Sequence, residues 1–166
     1  METAKKEGAL CLIKAEAMLM KILVLNGPNL NMTGRREPKI YGSKTLDEII
    51  GALKLRAKEL GVSIDHIQTN HEGVLIDNIQ AAPALYAGII INPGALTHYS
   101  YALRDVIACC PIPVGEVHIS NILERELFRT VDVIQEVCAF RVMGLGPEGY
   151  ETALSMLMQR IPRNPQ

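Results

Sequence analysis

Short apolar runs, each cut off by glycine, proline or asparagine, constrain this chain most. Lys-Ile-Leu-Val-Leu at 21–25 stops at Asn26-Gly27-Pro28-Asn29, and the run at 88–91 stops at Asn92-Pro93-Gly94. An apolar run with no polar alternation suits a strand buried on both faces, as in a parallel sheet. Further strands are predicted at 62–69, 114–119 and 137–143, the last stopped by Gly144. Helical patterns fall between them. Thr45-x-x-Glu48 reads as a capping box opening a helix to Leu60, with Gly61 as its stop. Other helices are expected at 72–80, 98–109 and 124–128, and from Pro147 to about Arg160. Strands alternating with helices predict a doubly wound α/β fold. The expected architecture is a flavodoxin-like three-layer sandwich with five parallel strands in the order 2-1-3-4-5.

Composition narrows the function classes. The chain has 166 residues, long enough for one well-buried domain, and nearly balanced charge with a formal net of −1. That balance removes the simplest argument for a nucleic-acid or anionic-membrane partner. There is no Trp and there are two Phe, a poor endowment for stacking bases. Cys11, Cys109, Cys110 and Cys138 form no Cys-x-x-Cys pair. They read as reduced thiols, which places the protein in the cytoplasm. No apolar stretch is long enough for a membrane span. Residues 1–19 read as an extension, a leader, tail or short helix, that is dispensable for activity. Residues 20–166 read as a single catalytic domain.

In open α/β sheets, ligands bind beyond the carboxyl ends of the strands, where strand order reverses. Those ends carry Asn29, Asn92-Pro93-Gly94 and His118-Ile119-Ser120. The loop after the first strand runs to Tyr41, long enough to act as a lid. Arg36 precedes Tyr41 in Gly-Arg-Arg-Glu-Pro-Lys-Ile-Tyr-Gly at 34–42. A guanidinium at ~4 Å offers a phenolate roughly 4 kcal/mol at an effective dielectric of about 20. That is enough to draw the phenol toward neutrality and make it a base. The plainer alternative is a loop tyrosine packing its ring beside two solvated arginines. Glu116 and His118 lie two apart in a strand, so they share a side-chain direction. The histidine suits a general acid and the glutamate suits its orientation. A strand-end histidine bonded to backbone is the alternative, and a metal site of Glu116, His118 and His98 is another. The turn at 92–98 reads as a helix opening whose amides welcome an anion. Ile119 and Ser120 offer an amide and a hydroxyl to a carboxylate. Arg125 and Arg129, four apart, share a helix face, to hold substrate oxygens or simply to face solvent. His71 reads as part of a helix cap, and His66 has no evident role.

Together these runs resemble type II 3-dehydroquinate dehydratase over about residues 21–155. The resemblance rests on Ile-Leu-Val-Leu-Asn-Gly-Pro-Asn-Leu-Asn at 22–31, the 34–42 run, and Asn-His-Glu-Gly-Val-Leu-Ile-Asp at 70–77. It continues through Ile-Asn-Pro-Gly-Ala-Leu-Thr-His at 91–98, Ala-Leu-Arg-Asp at 102–105, Glu-Val-His-Ile-Ser-Asn at 116–121 and Gly-Leu-Gly-Pro-Glu-Gly-Tyr at 144–150. Any one is weak; all in this order are specific. The resemblance implies Tyr41 as proton acceptor, His118 as proton donor and Arg36 as transition-state stabiliser. It implies that Asn29 holds a water against an enolate oxygen and that Glu116 partners His118. Asn92, His98, Asp105, Ile119, Ser120 and Arg129 match substrate-binding positions. The aspartate matching Asp105 comes from a neighbouring subunit, in a homododecamer of four trimers. No cofactor and no metal are implied.

The implied reaction is anti elimination of water from 3-dehydroquinate through an enolate, giving 3-dehydroshikimate. The same chemistry serves the shikimate pathway to aromatic amino acids and quinate breakdown. Rival readings are a flavin- or nucleotide-binding module, which lacks a convincing phosphate-cradling loop after the first strand, and a metal hydrolase. The chain departs from the family pattern at Tyr99, Tyr101, Phe140 and Arg141. The segment 130–136 also lacks the usual His-Ser stretch.

Overall fold

The computed structural model describes residues 20–35 and 43–162. The extension at 1–19, Arg36 and Tyr41 lie outside the described residues. Five parallel strands form one sheet: β1 Met20–Asn26, β2 Val62–Gln68, β3 Gly88–Asn92, β4 Val114–His118 and β5 Phe140–Met143. Their order is β2-β1-β3-β4-β5, as predicted. The four described α-helices are α1 Leu46–Glu59, α2 Glu72–Ala81, α3 Tyr101–Cys109 and α4 Gly149–Met158.

Side-chain alternation along the strands sorts the molecule into three layers. Ile22 and Val24 of β1 pack with Leu53 of α1 and with Leu154 and Leu157 of α4. Leu23 and Leu25 face the other way, with Leu75 and Ile79 of α2 and Leu103 and Ile107 of α3. Both faces of the central strands are therefore buried, which is why β1 and β3 read as unbroken apolar runs. Glu116 and Arg141 are direct partners in the β4–β5 register, so both point to the α2–α3 face.

Several boundaries differ from the sequence reading. Residues 137–139 do not belong to the fifth strand. Gln135–Val137 forms a 3-10 turn, Cys138 N donates to Ile134 O at 3.2 Å, and β5 starts at Phe140. The third helix starts at Tyr101 instead of His98, because the Ser100 side chain caps it by accepting from Leu103 N at 2.9 Å. The anion-binding turn therefore opens a 3-10 segment, Gly94–His98, and the α-helix dipole argument does not apply there. The helix expected at 124–128 is two 3-10 turns, Ile122–Glu124 and Leu127–Thr130, with Arg125 extended between them. Arg125 and Arg129 thus share no helix face.

Candidate active site

The ends of β1 and β3 meet back to back at the switch point. Gly27 N donates to Asn92 O at 2.8 Å. A Cβ on Gly27 would lie 2.5 Å from Pro93 O, so only glycine permits this approach. Gly94 takes φ +59 and would put a Cβ 3.0 Å from Pro28 O. Asn29 adopts φ 67, the single non-glycine residue at positive φ among the described residues. Asparagine tolerates that region better than most, and its amide donates to Asn70 Oδ1 at 2.9 Å.

These loops wall a cavity of about 130 Å³. It brings together Asn29, Asn92, His98, His118, Ile119, Ser120 and Arg129 from the sequence reading, with Arg125 beside them. Glu116 lies behind it, fully buried. Asp105 does not reach it. That residue is exposed on α3 and lines a separate groove with Ile76, Ile79 and Val106.

Asn92 forms the floor through a relay that sequence reasoning missed. Its Oδ1 accepts from Gly94 N at 3.2 Å, and its Nδ2 donates to the Tyr150 hydroxyl at 3.0 Å. The hydroxyl in turn donates to Asn26 Oδ1 at 2.5 Å. Asn26 Nδ2 lies 3.0 Å from His66 Nε2, so that nitrogen accepts and the ring is neutral. Burial, aided by Lys54, also holds His66 below the usual histidine range. Burial pushes the Tyr150 phenol up, so it remains a donor. His66 thus has a structural role. His71 sits at the N-cap of α2 as expected, though its own side chain makes no cap bond.

His98 presents a defined tautomer. Its Nδ1 lies 2.7 Å from Val131 O, a carbonyl that can only accept, so Nδ1 carries the proton and Nε2 is left for the cavity. Burial holds His98 below its usual range; the Val131 carbonyl opposes this, and the Arg129 charge adds to it. Its ring meets Phe128 edge-on at 5.8 Å, and the Arg129 guanidinium lies 4.8 Å from the same ring centre. Glu126 tethers Arg129 Nε at 2.7 Å and lies 3.5 Å from Arg125 Nε.

His118 Nε2 lies 2.7 Å from Glu116 Oε1, with side chains 5% and 0% exposed. The carboxylate accepts, so Nε2 donates and Nδ1 is the nitrogen left for a ligand. Thr97 Oγ1 touches Glu116 Oε1 at 2.6 Å and Asp132 Oδ1 at 3.0 Å. Asp132 Oδ1 also accepts from the amides of Ile134 and Gln135, and Oδ2 from Arg141 Nη1 at 2.8 Å. Burial opposes charge on Asp132. Hydrogen bonds to its oxygens, that from the Arg141 guanidinium first among them and that from the Gln135 amide with it, outweigh it and hold the group below the ordinary aspartate range. Burial, and then the charges of Glu116 and Asp132, push the nearby Cys138 thiol up, so it is inert.

One ligand atom each from Glu116, His118 and Asp132 lies within 4.8 Å of the others. This trio differs from the Glu116, His118 and His98 set that the sequence suggested, since His98 is turned to Val131. Arg141 already supplies Asp132 with its cation, and Glu116 Oε1 is taken by Thr97 and His118. The donor set fits a hydrogen-bonded network better than a metal centre. Asp132, Thr97 and Arg141 were missed by sequence reasoning; the available signal was an arginine inside an apolar strand.

A model of the class II dehydroquinase family matches residues 20–158. The chain belongs to that family. It is 51% identical over 143 residues to a 3-dehydroquinate dehydratase of Bacillus cytotoxicus, covering 86% of this chain and 98% of the relative. Among solved structures, a type II dehydroquinase from Butyrivibrio crossotus superposes with a TM-score of 0.82 at 46% identity. That match covers 84% of this chain and 98% of the other. One from Propionibacterium acnes gives 0.80 at 43%, over 86% and 99%. The resemblance drawn from the motifs and the fold order are both borne out by these matches. For this family member, the cavity at the switch point is the candidate site.

Proposed function

We propose that this chain removes water from 3-dehydroquinate, giving 3-dehydroshikimate through an enolate, as a hydro-lyase of the shikimate pathway. Family membership carries the reaction, and the buried Glu116–His118 pair at the cavity wall is the observation that carries the mechanism. In the proposed sequence, Tyr41 as phenolate takes the proton beside the ketone, with Arg36 favouring its charge. The electrons move onto the ketone oxygen, and a water held by Asn29 stabilises the enolate. His118 then gives a proton to the hydroxyl leaving from the opposite face, and water departs as the enolate collapses. His118 ends neutral and Tyr41 protonated, so one proton must pass back before the next turnover.

Glu116 supports this assignment by holding Nε2, which leaves Nδ1 to deliver the proton. Asn92, His98, Ile119, Ser120 and Arg129 line the same cavity and are proposed to bind substrate. Neutral His98 offers an acceptor at Nε2 for a substrate hydroxyl, and Arg129 offers a cation for the carboxylate. Asp105 is proposed to reach the site of a neighbouring chain in a dodecamer of trimers. Neither metal nor cofactor is needed to stabilise an enolate beside an existing carbonyl. The proposed setting is cytoplasmic, where Cys109, Cys110 and Cys138 would stay free thiols.

Ultraviolet absorbance after adding 3-dehydroquinate to chelator-treated protein tests the reading. The conjugated product should accumulate at an undiminished rate, and a chain beginning at Met20 should match the full chain. Tyr41→Phe should lose at least about a hundredfold in kcat, the scale of a positioned base. A chelator-sensitive rate, or an active Tyr41→Phe protein, would overturn the mechanism.

A further inference from the structure

We propose that Asp132 and Arg141 are positioning residues that set the charge felt by the Glu116–His118 pair. The proposal rests on reading His118 as the proton donor, and it goes beyond that reading in adding a second, buried ion pair to the acid.

Sheet geometry makes the connection. Glu116 of β4 and Arg141 of β5 are register partners on one face of the sheet. Asp132 sits against both. Its side chain is 3% exposed, Arg141's is 13%, and their contact is 2.8 Å. Thr97 stands between the two acids. One hydroxyl carries one proton, so it donates to one carboxylate at a time, and its contact to Glu116 is the shorter. Asp132 therefore depends on Arg141 for its compensating charge. Glu116 Oε2 is buried with no hydrogen-bond partner, so Glu116 has no cation of its own among its direct contacts except a protonated His118.

With His118 protonated, two carboxylates face two cations and the cluster is neutral. With His118 neutral, one negative charge is left in a dry setting. Arg141 cancels the Asp132 charge in this count, which leaves His118 as the group that answers Glu116. Without Arg141, His118 would face two uncompensated carboxylates and release its proton less readily. Without the Asp132 charge, the buried guanidinium would drive the proton off. Other charged or titratable groups around the pair are His98 on the Gly94–His98 turn, Arg125 and Arg129 on the cavity wall, and the Cys138 thiol, which burial and the two acids keep protonated. Arg129 and His98 keep their own tethers to Glu126 and Val131, so they form a constant background in the comparison.

The packing around this pair is built for it. Phe140, beside Arg141, lies over Gly115, where any Cβ would fall 2.1 Å from the ring. The bulky ring seals the opposite face of the sheet behind the ion pair. Neither Asp132 nor Arg141 lines the cavity, so neither touches substrate.

The test uses full-length Asp132→Asn, Arg141→Met, their double variant and Arg141→Lys. Two readouts are taken. One is the NMR titration of the His118 imidazole, assigned by loss of its signal in His118→Asn. The other is the pH dependence of kcat and KM. Arg141→Met should move the imidazole titration and the basic limb of kcat to higher pH. It should lower kcat by roughly tenfold, a fraction of what a positioned acid supplies, with KM nearly unchanged. Asp132→Asn should move both to lower pH. The double variant should return toward the parent, and Arg141→Lys should stay close to it. A merely structural pair would change melting temperature without opposed shifts that cancel. Unmoved titrations in both single variants, or shifts of one sign, would overturn the proposal. Should Arg141→Met not fold, the near-isosteric Asp132→Asn alone must still show the downward shift. The NMR titration needs no turnover, so full activity in His118→Asn would overturn the acid role separately from the coupling.

Discussion

The Tyr150 hydroxyl donates to Asn26 and accepts from Asn92, joining residues 124 and 58 positions away in sequence. Tyr150→Phe leaves two buried amides short of a partner, at a cost of about 1–3 kcal/mol. The loss should appear as a lower urea midpoint with an unchanged slope, together with a raised KM, since Asn92 floors the cavity. Parent-like values for both would show that the relay is unimportant. The Glu116–His118 pair was legible because residues two apart on a strand share a face, whatever packs around them. Tyr150, Thr97 and Asp132 were not, because their partners arrive from other elements and no local spacing records the meeting. Arg141 was visible only as an oddity, a charge in an apolar strand, until Asp132 appeared beside it. Chemistry written into one element can be read from sequence, whereas chemistry assembled between elements needs the fold.

Helix α1 is the element whose sequence spoke most clearly. Thr45 Oγ1 accepts from Glu48 N at 3.3 Å, and Glu48 Oε2 accepts from Thr45 N at 2.7 Å, completing the capping box. Asp47 and Glu48 sit in the first turn, and Arg56 and Lys58 in the last, each complementing the helix dipole. Thr45→Ala should cost about 1 kcal/mol in chemical denaturation. It should also increase amide exchange in the first turn of α1 while leaving α4 untouched; uniform exchange across both helices would contradict a local cap. Boundaries failed where a side chain overrode the pattern. Periodicity alone extends α3 back to His98, but the Ser100 cap starts it at Tyr101 and frees His98 to face the cavity. Between β4 and β5 the apolar spacing resembles a helix, yet Asn121, Glu126 and Asp132 each commit side-chain oxygens to nearby backbone or arginines. Such bonds favour short turns over a continued helix.

At the scale of the molecule, the strand order predicted from alternating runs places every described candidate site residue at one end of the sheet, apart from Asp105. Asp105 stands exposed on α3, in the groove that α3 forms with α2, and does not line its own chain's cavity. If it binds substrate, it does so in another copy, across a head-to-tail interface that closes into a ring. Subunit mixing separates that arrangement from a self-contained site. Asp105→Asn and His118→Asn proteins should each be nearly inactive alone. In an equal mixture after subunit exchange, a sound site needs His118 from an Asp105→Asn chain and Asp105 from a His118→Asn neighbour. Random assembly makes about a quarter of the sites sound, so about a quarter of parent activity should return. No recovery despite exchange, verified by mass labelling of the mixed oligomers, would confine each site to one chain. An Asp105→Asn protein active by itself would remove that residue from substrate binding altogether.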